Sequence, residues 1–436
     1  MRELIVEKKF VFNVIITVIL NIVFFLVRFD IKVMLWYYVI AVSIIYILVI
    51  PHELFNPKNF VMGFYFMWYG IAPLFANRYK DLANYGNTVI NAYFMFIVTF
   101  SIAMLTLDYS EKKKSFTEIM SGKNEKHKLS AWEIGLLLFI YVISIGFYIH
   151  RTGGITLWMS NANDAFFSRG GSGFLYLLFE YAALLLFFFE GKKRGKLRKI
   201  LLLALCVITM YFCGSKSTMI LFLFMLFSDE IIKIKLFDKK SILVGVIGIS
   251  IFVFGMYIRA GQYMHSMEAI VATCLNYFDT LDEFLLLLNK HKSGFFQTIY
   301  YPINWLLLKM GVGYLGQPYY DTSIWLTSIY YPESWANGGT HQWPLEAYMY
   351  LNFDYWLGIP FVIIYFLIIG WVYTKGKRKE GVFRFICINE CMTIGSHLRG
   401  GLFNYWYIYL IPFYVILIIW EKKFSELSED KNVCAR

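Results

Sequence analysis

Long apolar runs alternate with short polar breaks along most of the chain. A membrane-crossing helix needs about 20 predominantly apolar residues. Runs of that order lie near 10–27, 33–51, 60–76, 88–107, 131–149, 173–190, 200–213, 217–228, 241–258, 357–373, 382–398 and 402–420. The pattern predicts an all-α polytopic membrane protein with about twelve transmembrane helices. Around "CGSKST" (Cys213 to Thr218) the apolar runs on either side are short for two full spans. They read either as a tight hairpin or as a broken, re-entrant element lining a cavity within the protein. One stretch, 259–356, departs from the alternation and is far longer than an ordinary connection. It is rich in Tyr and Trp, and "EAIVATCLNYFDTLDEFLLLLNK" and "IYYPINWLLLKM" read as amphipathic helices at a membrane surface. The chain then divides into an N-terminal bundle of about nine spans over 1–258, a large external loop over 259–356, and C-terminal spans with a short tail over 357–436.

Composition agrees with lipid as the solvent: of the 436 residues, 58% are hydrophobic and only 16% charged. The net charge of +11 would point to nucleic acid in a soluble protein, but here the basic residues gather in short loops. Lys112–Lys114 with Lys123, Lys126 and Lys128 form one cluster, and residues 192–199 a second. Lys233, Lys235, Lys239 and Lys240 form a third, and residues 375–379 a fourth. With an even count of twelve spans, all four lie on the side of both termini, which the positive-inside rule makes cytoplasmic. That placement excludes a nucleic-acid surface, since no basic stripe with interleaved aromatics lies on a soluble segment. The N-terminus reads as a first, uncleaved span, because the apolar run is long and no small-residue cleavage site follows it. The six cysteines lack metal-site spacing and mostly fall inside apolar runs.

Candidate chemistry concentrates on the opposite, external side. Cations are scarce there, and four sit beside glycine: Arg169 before Gly170-Gly171, Lys216 after Gly214-Ser215, Arg259 before Ala260-Gly261, and Arg399 before Gly400-Gly401. Glycine lets a bulky anion approach the backbone while Arg or Lys supplies charge-assisted bonds to phosphate oxygens. Singly, each such cation can equally reach a lipid headgroup. The loop ends in "NGGTHQWPLEAYMYLNF" (Asn337 to Phe353), where His341 and Glu346 are candidate general bases for a hydroxyl. Both can alternatively pin the loop to the bundle by structural hydrogen bonds. The acidic "FDTLDE" reads as a helix capping box of Thr280 with Glu283 rather than a metal site. Nucleotide-binding, zinc-protease and serine-hydrolase motifs are absent.

The spans, the single large loop near the C-terminal third and the closing "GGTHQWPLEAYMYLNFDYWLG" together resemble the bacterial O-antigen and oligosaccharide-repeat-unit polymerases. "GSKST" looks like that family's "GSRS" element. Glu346, Tyr348, Asn352 and Phe353 resemble its E-x-Y-x-x-x-N-F-G pattern, with Asp354 where the pattern has glycine. The resemblance implies an enzyme of the bacterial cytoplasmic membrane that transfers a growing glycan from undecaprenyl diphosphate onto a new lipid-linked repeat unit, with no cofactor and no metal. It implies His341 and Glu346 as catalytic residues and Arg169, Lys216, Arg259 and Arg399 as ligands of the diphosphate. Trp343, Tyr348 and Asn352 are then contacts of the acceptor sugar. The implied partners are the lipid-linked oligosaccharide, the bilayer, and the flippase and chain-length regulator of the same route. An O-antigen ligase, with a histidine in its large external loop, and a lipid-linked oligosaccharide flippase are the rival readings. A flippase usually carries internal repeats and polar residues at mid-span.

Overall fold

A computed structural model describes residues 2–75, 78–117, 129–169, 171–192, 195–213, 216–260, 266–276, 279–311, 319–336, 339–404 and 406–434. The described residues are mostly helical, and the β-pairing among them is confined to two isolated bridges, Glu53 with Lys235 and Phe295 with Phe353. Six helices among them are long and apolar enough to cross a membrane: Glu7–Val27, Ile31–Leu48, Asn87–Lys112, Ala131–Arg151, Gly173–Gly191 and Trp356–Arg378. They make this an all-α protein with the helices of a membrane protein.

The other expected runs are also helical: Lys239–Ala260 is continuous over 22 residues, while the rest are shorter, broken or more highly charged. The run at 60–76 becomes Pro57–Phe64, a π-helical turn Tyr65–Ile71 and a short Ala72–Phe75. Pro73 has no N–H to return to the carbonyl of Tyr69 four residues earlier; that carbonyl instead accepts the Tyr93 hydroxyl at 2.9 Å. Such π-turns are uncommon and cluster at functional sites. The "GSKST" region forms two helices, Lys196–Cys213 and Lys216–Leu226. Lys199 pairs with Glu230 near one end, while Thr218 donates to Glu180 toward the other. The two helices therefore run antiparallel, as a hairpin. The second is about 16 Å long at 1.5 Å per residue, roughly half the hydrocarbon thickness.

The described parts of the basic loops meet at one end; Lys123, Lys126, Lys128, Lys193 and Arg194 lie outside the described residues. The Glu53 backbone bridges that of Lys235, and its carboxylate receives Lys377. Arg384 pairs with Asp229, and Lys192 reaches the Glu380 carbonyl. Lys58 is buried between Asp108 (3.4 Å) and Glu111 (3.0 Å), so its charge is paired rather than stranded.

At the other end, segments of the 259–356 stretch pack into the bundle. The helix Leu281–Lys290 buries Leu281, Phe284, Leu285 and Leu287, with Phe284 5.4 Å from the ring of Phe96. Leu326, Trp343, Leu345 and Leu351 join the same hydrophobic cluster as Tyr38, Tyr65, Phe96 and Phe100. The helix Leu281–Lys290 is amphipathic as expected, and its apolar face is covered by protein; Met267, Val271 and Ile303 of the other two expected helices stay exposed.

Candidate functional site

The segment from Gly339 to Phe353 is held between the bundle and the turn after the helix Val382–Leu398. Pro344 is extended (ψ 164°) and opens the helix Leu345–Phe353 with its fixed φ. Just before it, Thr327 brackets His341: its hydroxyl accepts the His341 N–H at 2.9 Å and faces the His341 carbonyl at 3.3 Å. The imidazole stacks on Tyr331 (centroids 3.8 Å apart, planes 6° off parallel). Its Nδ1 lies 3.1 Å from Glu283 Oε1, and the side chain keeps 34% of its surface exposed. A carboxylate on one ring nitrogen of a partly open histidine is the geometry of a base held by an orienting group.

Glu283 is not part of a capping box, which corrects the expectation. Thr280 makes no side-chain cap; its hydroxyl is 2.8 Å from the Tyr69 hydroxyl, and Asp279 Oδ1 takes the Leu281 N–H instead. The neighbouring acids share Arg78, which pairs with Asp279 at 2.8 Å and with Asp282. Burial raises the Asp279 carboxyl to about 6, against the pull of its bond from the Leu281 N–H and of Arg78. Burial also raises Glu283, partly offset by the hydrogen bond with His341. Among the described residues, no group of three or more His, Cys, Asp or Glu could hold a metal ion.

Glu346 lies beneath, on the first turn of its helix, and is fully buried. Tyr65, on the π-turn, donates to its Oε1 at 2.6 Å, while Oε2 has no hydrogen-bond partner. Burial pushes this carboxyl up to about 7, and the Tyr65 bond lowers it in part. Tyr348, two residues on, packs under the turn that carries Arg399. Gly401 there has φ +101°, and a Cβ on it would fall 2.6 Å from the Tyr348 ring, so this position requires glycine. Gly400 faces Gln342 in the same contact. Arg399 is half-buried in this turn.

The sequence candidates thus separate. His341, Trp343, Glu346, Tyr348, Asn352 and Arg399 come together around one loop–bundle junction. Asn352 spends its amide inside the protein: Oδ1 accepts from Thr298 N (2.8 Å) and Ile299 N (2.9 Å), and Nδ2 donates to Thr298 Oγ1 and the Tyr348 carbonyl, both at 2.9 Å. It fastens the loop and has no hydrogen bond left for a sugar. Trp343 is buried against Tyr330 and Tyr331 and presents no open ring face. Asp354 takes the left-handed conformation (φ +50°) that a glycine would supply, which a short polar side chain tolerates. The turn survives the substitution.

Arg169 lies elsewhere, exposed with its guanidinium 3.8 Å from the Phe166 ring centroid, and its charge is felt by Glu180, the partner of Thr218. The side chains of Lys216 and Arg259 lie outside the described residues. The sequence alone does not single out Arg78, Tyr65 or His397, and it offers Glu283 only as a capping residue. Arg78 carried a signal, being a further cation on the expected outer side; the tyrosine carried none apart from its neighbours.

Compared with known proteins, the chain matches no family model, no curated protein and no solved structure.

Proposed function

We propose that this chain is a polymerase of bacterial surface polysaccharide. It transfers a growing glycan from undecaprenyl diphosphate onto a new lipid-linked repeat unit, at the outer face of the cytoplasmic membrane. In this reading the chain has about twelve spans and both termini cytoplasmic, supported by the meeting of the basic loops at one end. The observation that carries the reading is the His341–Glu283 pair, set in a loop packed onto the opposite end of the bundle, beside a segment that also contacts the Arg399-Gly400-Gly401 turn.

The chemistry is a displacement at the anomeric carbon of the donor glycan. His341 Nε2 takes the proton of the acceptor hydroxyl while Glu283 holds the ring and stabilises the imidazolium. The acceptor oxygen bonds to the anomeric carbon, and the carbon–oxygen bond to the diphosphate breaks with its electron pair going to the leaving group. Arg399 neutralises that developing charge. Glu346, through the bond it accepts from the Tyr65 hydroxyl, ties the loop to the bundle and keeps the two halves of the site in register. Undecaprenyl diphosphate and the bilayer are the partners this requires, and the flippase and chain-length regulator of the route are proposed neighbours.

The test is a glycan gel of a strain lacking the gene, with lipid-linked intermediates extracted in parallel. Loss of the polymer ladder, with single repeat units still reaching the surface, is the expected result. Long polymer stranded on its lipid would instead make this a ligase, and units trapped on the cytoplasmic side a flippase. An unchanged gel would remove the polysaccharide reading.

A further inference from the structure

Two buried polar atoms, His397 Nε2 in the last turn of the helix Val382–Leu398 and Asn404 Oδ1 in the turn that follows it, have no hydrogen-bond partner among the described residues. His397 itself is 1% exposed. Its Nδ1 lies 2.6 Å from the Tyr365 hydroxyl, and the ring stacks on Tyr407 (5.1 Å, 14°). The protonation of the ring follows from counting donors and acceptors. If Tyr365 O–H donates to Nδ1, the proton of the neutral ring is on Nε2 and one donor is left unsatisfied. If Nδ1–H donates to Tyr365, both the Nε2 lone pair and the tyrosine proton are left over. Burial disfavours the second arrangement, since each unmet polar group costs free energy. A charged ring also keeps a proton on Nε2. The structure therefore holds a buried N–H donor with no acceptor.

The surroundings say what kind of acceptor fits. Gly401 N–H bonds the His397 carbonyl at 3.0 Å, placing the histidine at the root of the Arg399-Gly400-Gly401 turn. The Asn404 side-chain amide lies 3.9 Å from where a Cβ on Gly400 would stand. The atom that lies there is the amide nitrogen, a donor on the glycine side of the turn that carries Arg399. We propose that His397 is a ligand of the diphosphate, its Nε2–H donating to a non-bridging phosphate oxygen beside Arg399. This rests on the polymerase reading and adds to it a residue that neither the loop nor the four glycine-flanked cations contain. Tyr365 is a positioning residue, since it acts by keeping the proton on the nitrogen that meets the ligand.

The experiment uses the full chain in phosphatidylcholine nanodiscs, titrated with farnesyl diphosphate and, separately, inorganic diphosphate by calorimetry. His397→Ala is expected to weaken farnesyl diphosphate binding on the order of 10- to 100-fold, as befits loss of a hydrogen bond to a charged acceptor. His397→Gln, whose amide N–H₂ reaches the place of Nε2, should stay within about threefold of wild type. Tyr365→Phe should fall between, because it frees the ring to change tautomer. Tighter binding of farnesyl than of inorganic diphosphate assigns the oxyanion to a lipid carrier, and equal binding to a soluble diphosphate; His397 dependence is expected in both. Wild-type affinity in His397→Ala would overturn the proposal alone, leaving Nε2–H to a water molecule. Should that variant not fold, unchanged affinity in a folded Tyr365→Phe would overturn it instead. Wild-type protein that ignores both probes would overturn this assignment and the polymerase reading together.

Discussion

Truncating Asn352 to alanine should release the 259–356 segment from the bundle without touching a charged residue. The side chain satisfies two backbone donors, Thr298 N–H and Ile299 N–H, and bonds Thr298 Oγ1 and the Tyr348 carbonyl. Alanine strands the two donors in a site where Asn352 and Thr298 are essentially unexposed. Each unmet buried donor costs about 1–3 kcal/mol, so the loss is on the order of 2–5 kcal/mol. At about 1.4 kcal/mol per factor of ten, the open form of this segment should be enriched about 30- to 4000-fold. Limited proteolysis of the protein in detergent reads that population directly when opening is fast relative to cleavage. Cuts should appear between residues 291 and 344 long before any in the long helices. Asn352→Asp keeps the acceptor for Thr298 and Ile299 but sets a buried carboxylate oxygen against the Tyr348 carbonyl, so its cleavage should rise as well. Equal cleavage rates in wild type and Asn352→Ala would refute the claim that this amide fastens the loop.

Other outcomes follow from the same geometry. Glu283→Gln and His341→Ala should each shorten or abolish polymer, with turnover down on the order of 100-fold and protein level unchanged; normal chain length in both would return the pair to a structural role. Gly401→Ala should cost about 1–2 kcal/mol of backbone strain and push on Tyr348, read as a lower melting temperature with shortened polymer. Glu346 has a folded value of about 7 against 4.5 for the free group, so the folded state holds its proton more tightly than the unfolded chain does. Its burial penalty is therefore absent below about pH 4.5 and grows to about 3 kcal/mol as pH rises to 7. Thermal stability should fall over that window, and Glu346→Gln should flatten the fall. A wild-type stability profile with the same slope as Glu346→Gln would refute the assignment.

Much of the architecture was legible because lipid imposes a blunt rule: backbone polar groups must be satisfied within each segment, so long apolar runs are helices. The hidden part lay in partners distant in sequence. Thr280 and Glu283 have the spacing of a capping box, and only the fold shows that Tyr69 and His341, 211 and 58 positions away, take those side chains instead. The region 60–76 is apolar enough to read as a plain span, while the π-turn at Tyr65 depends on Pro73 and on Tyr93 of a neighbouring helix. Asn352 stands out in the sequence as a sugar contact. Its role was misjudged because an amide that binds sugar and an amide that ties two segments look alike until their hydrogen bonds are counted.

The packing of Phe284 on Phe96 also sets a clock on biogenesis. The ribosome makes the two rings 188 residues apart, and at 5–20 residues per second the second arrives roughly 10–40 s after the first. Throughout that interval the early helices are in the bilayer with an aromatic face awaiting its cover. Only after the later segment has been made and packed does the first core close. A nascent chain stalled before Leu281 is thus an unfinished object rather than a smaller protein, and quality-control proteases should clear it faster than one stalled after Arg378.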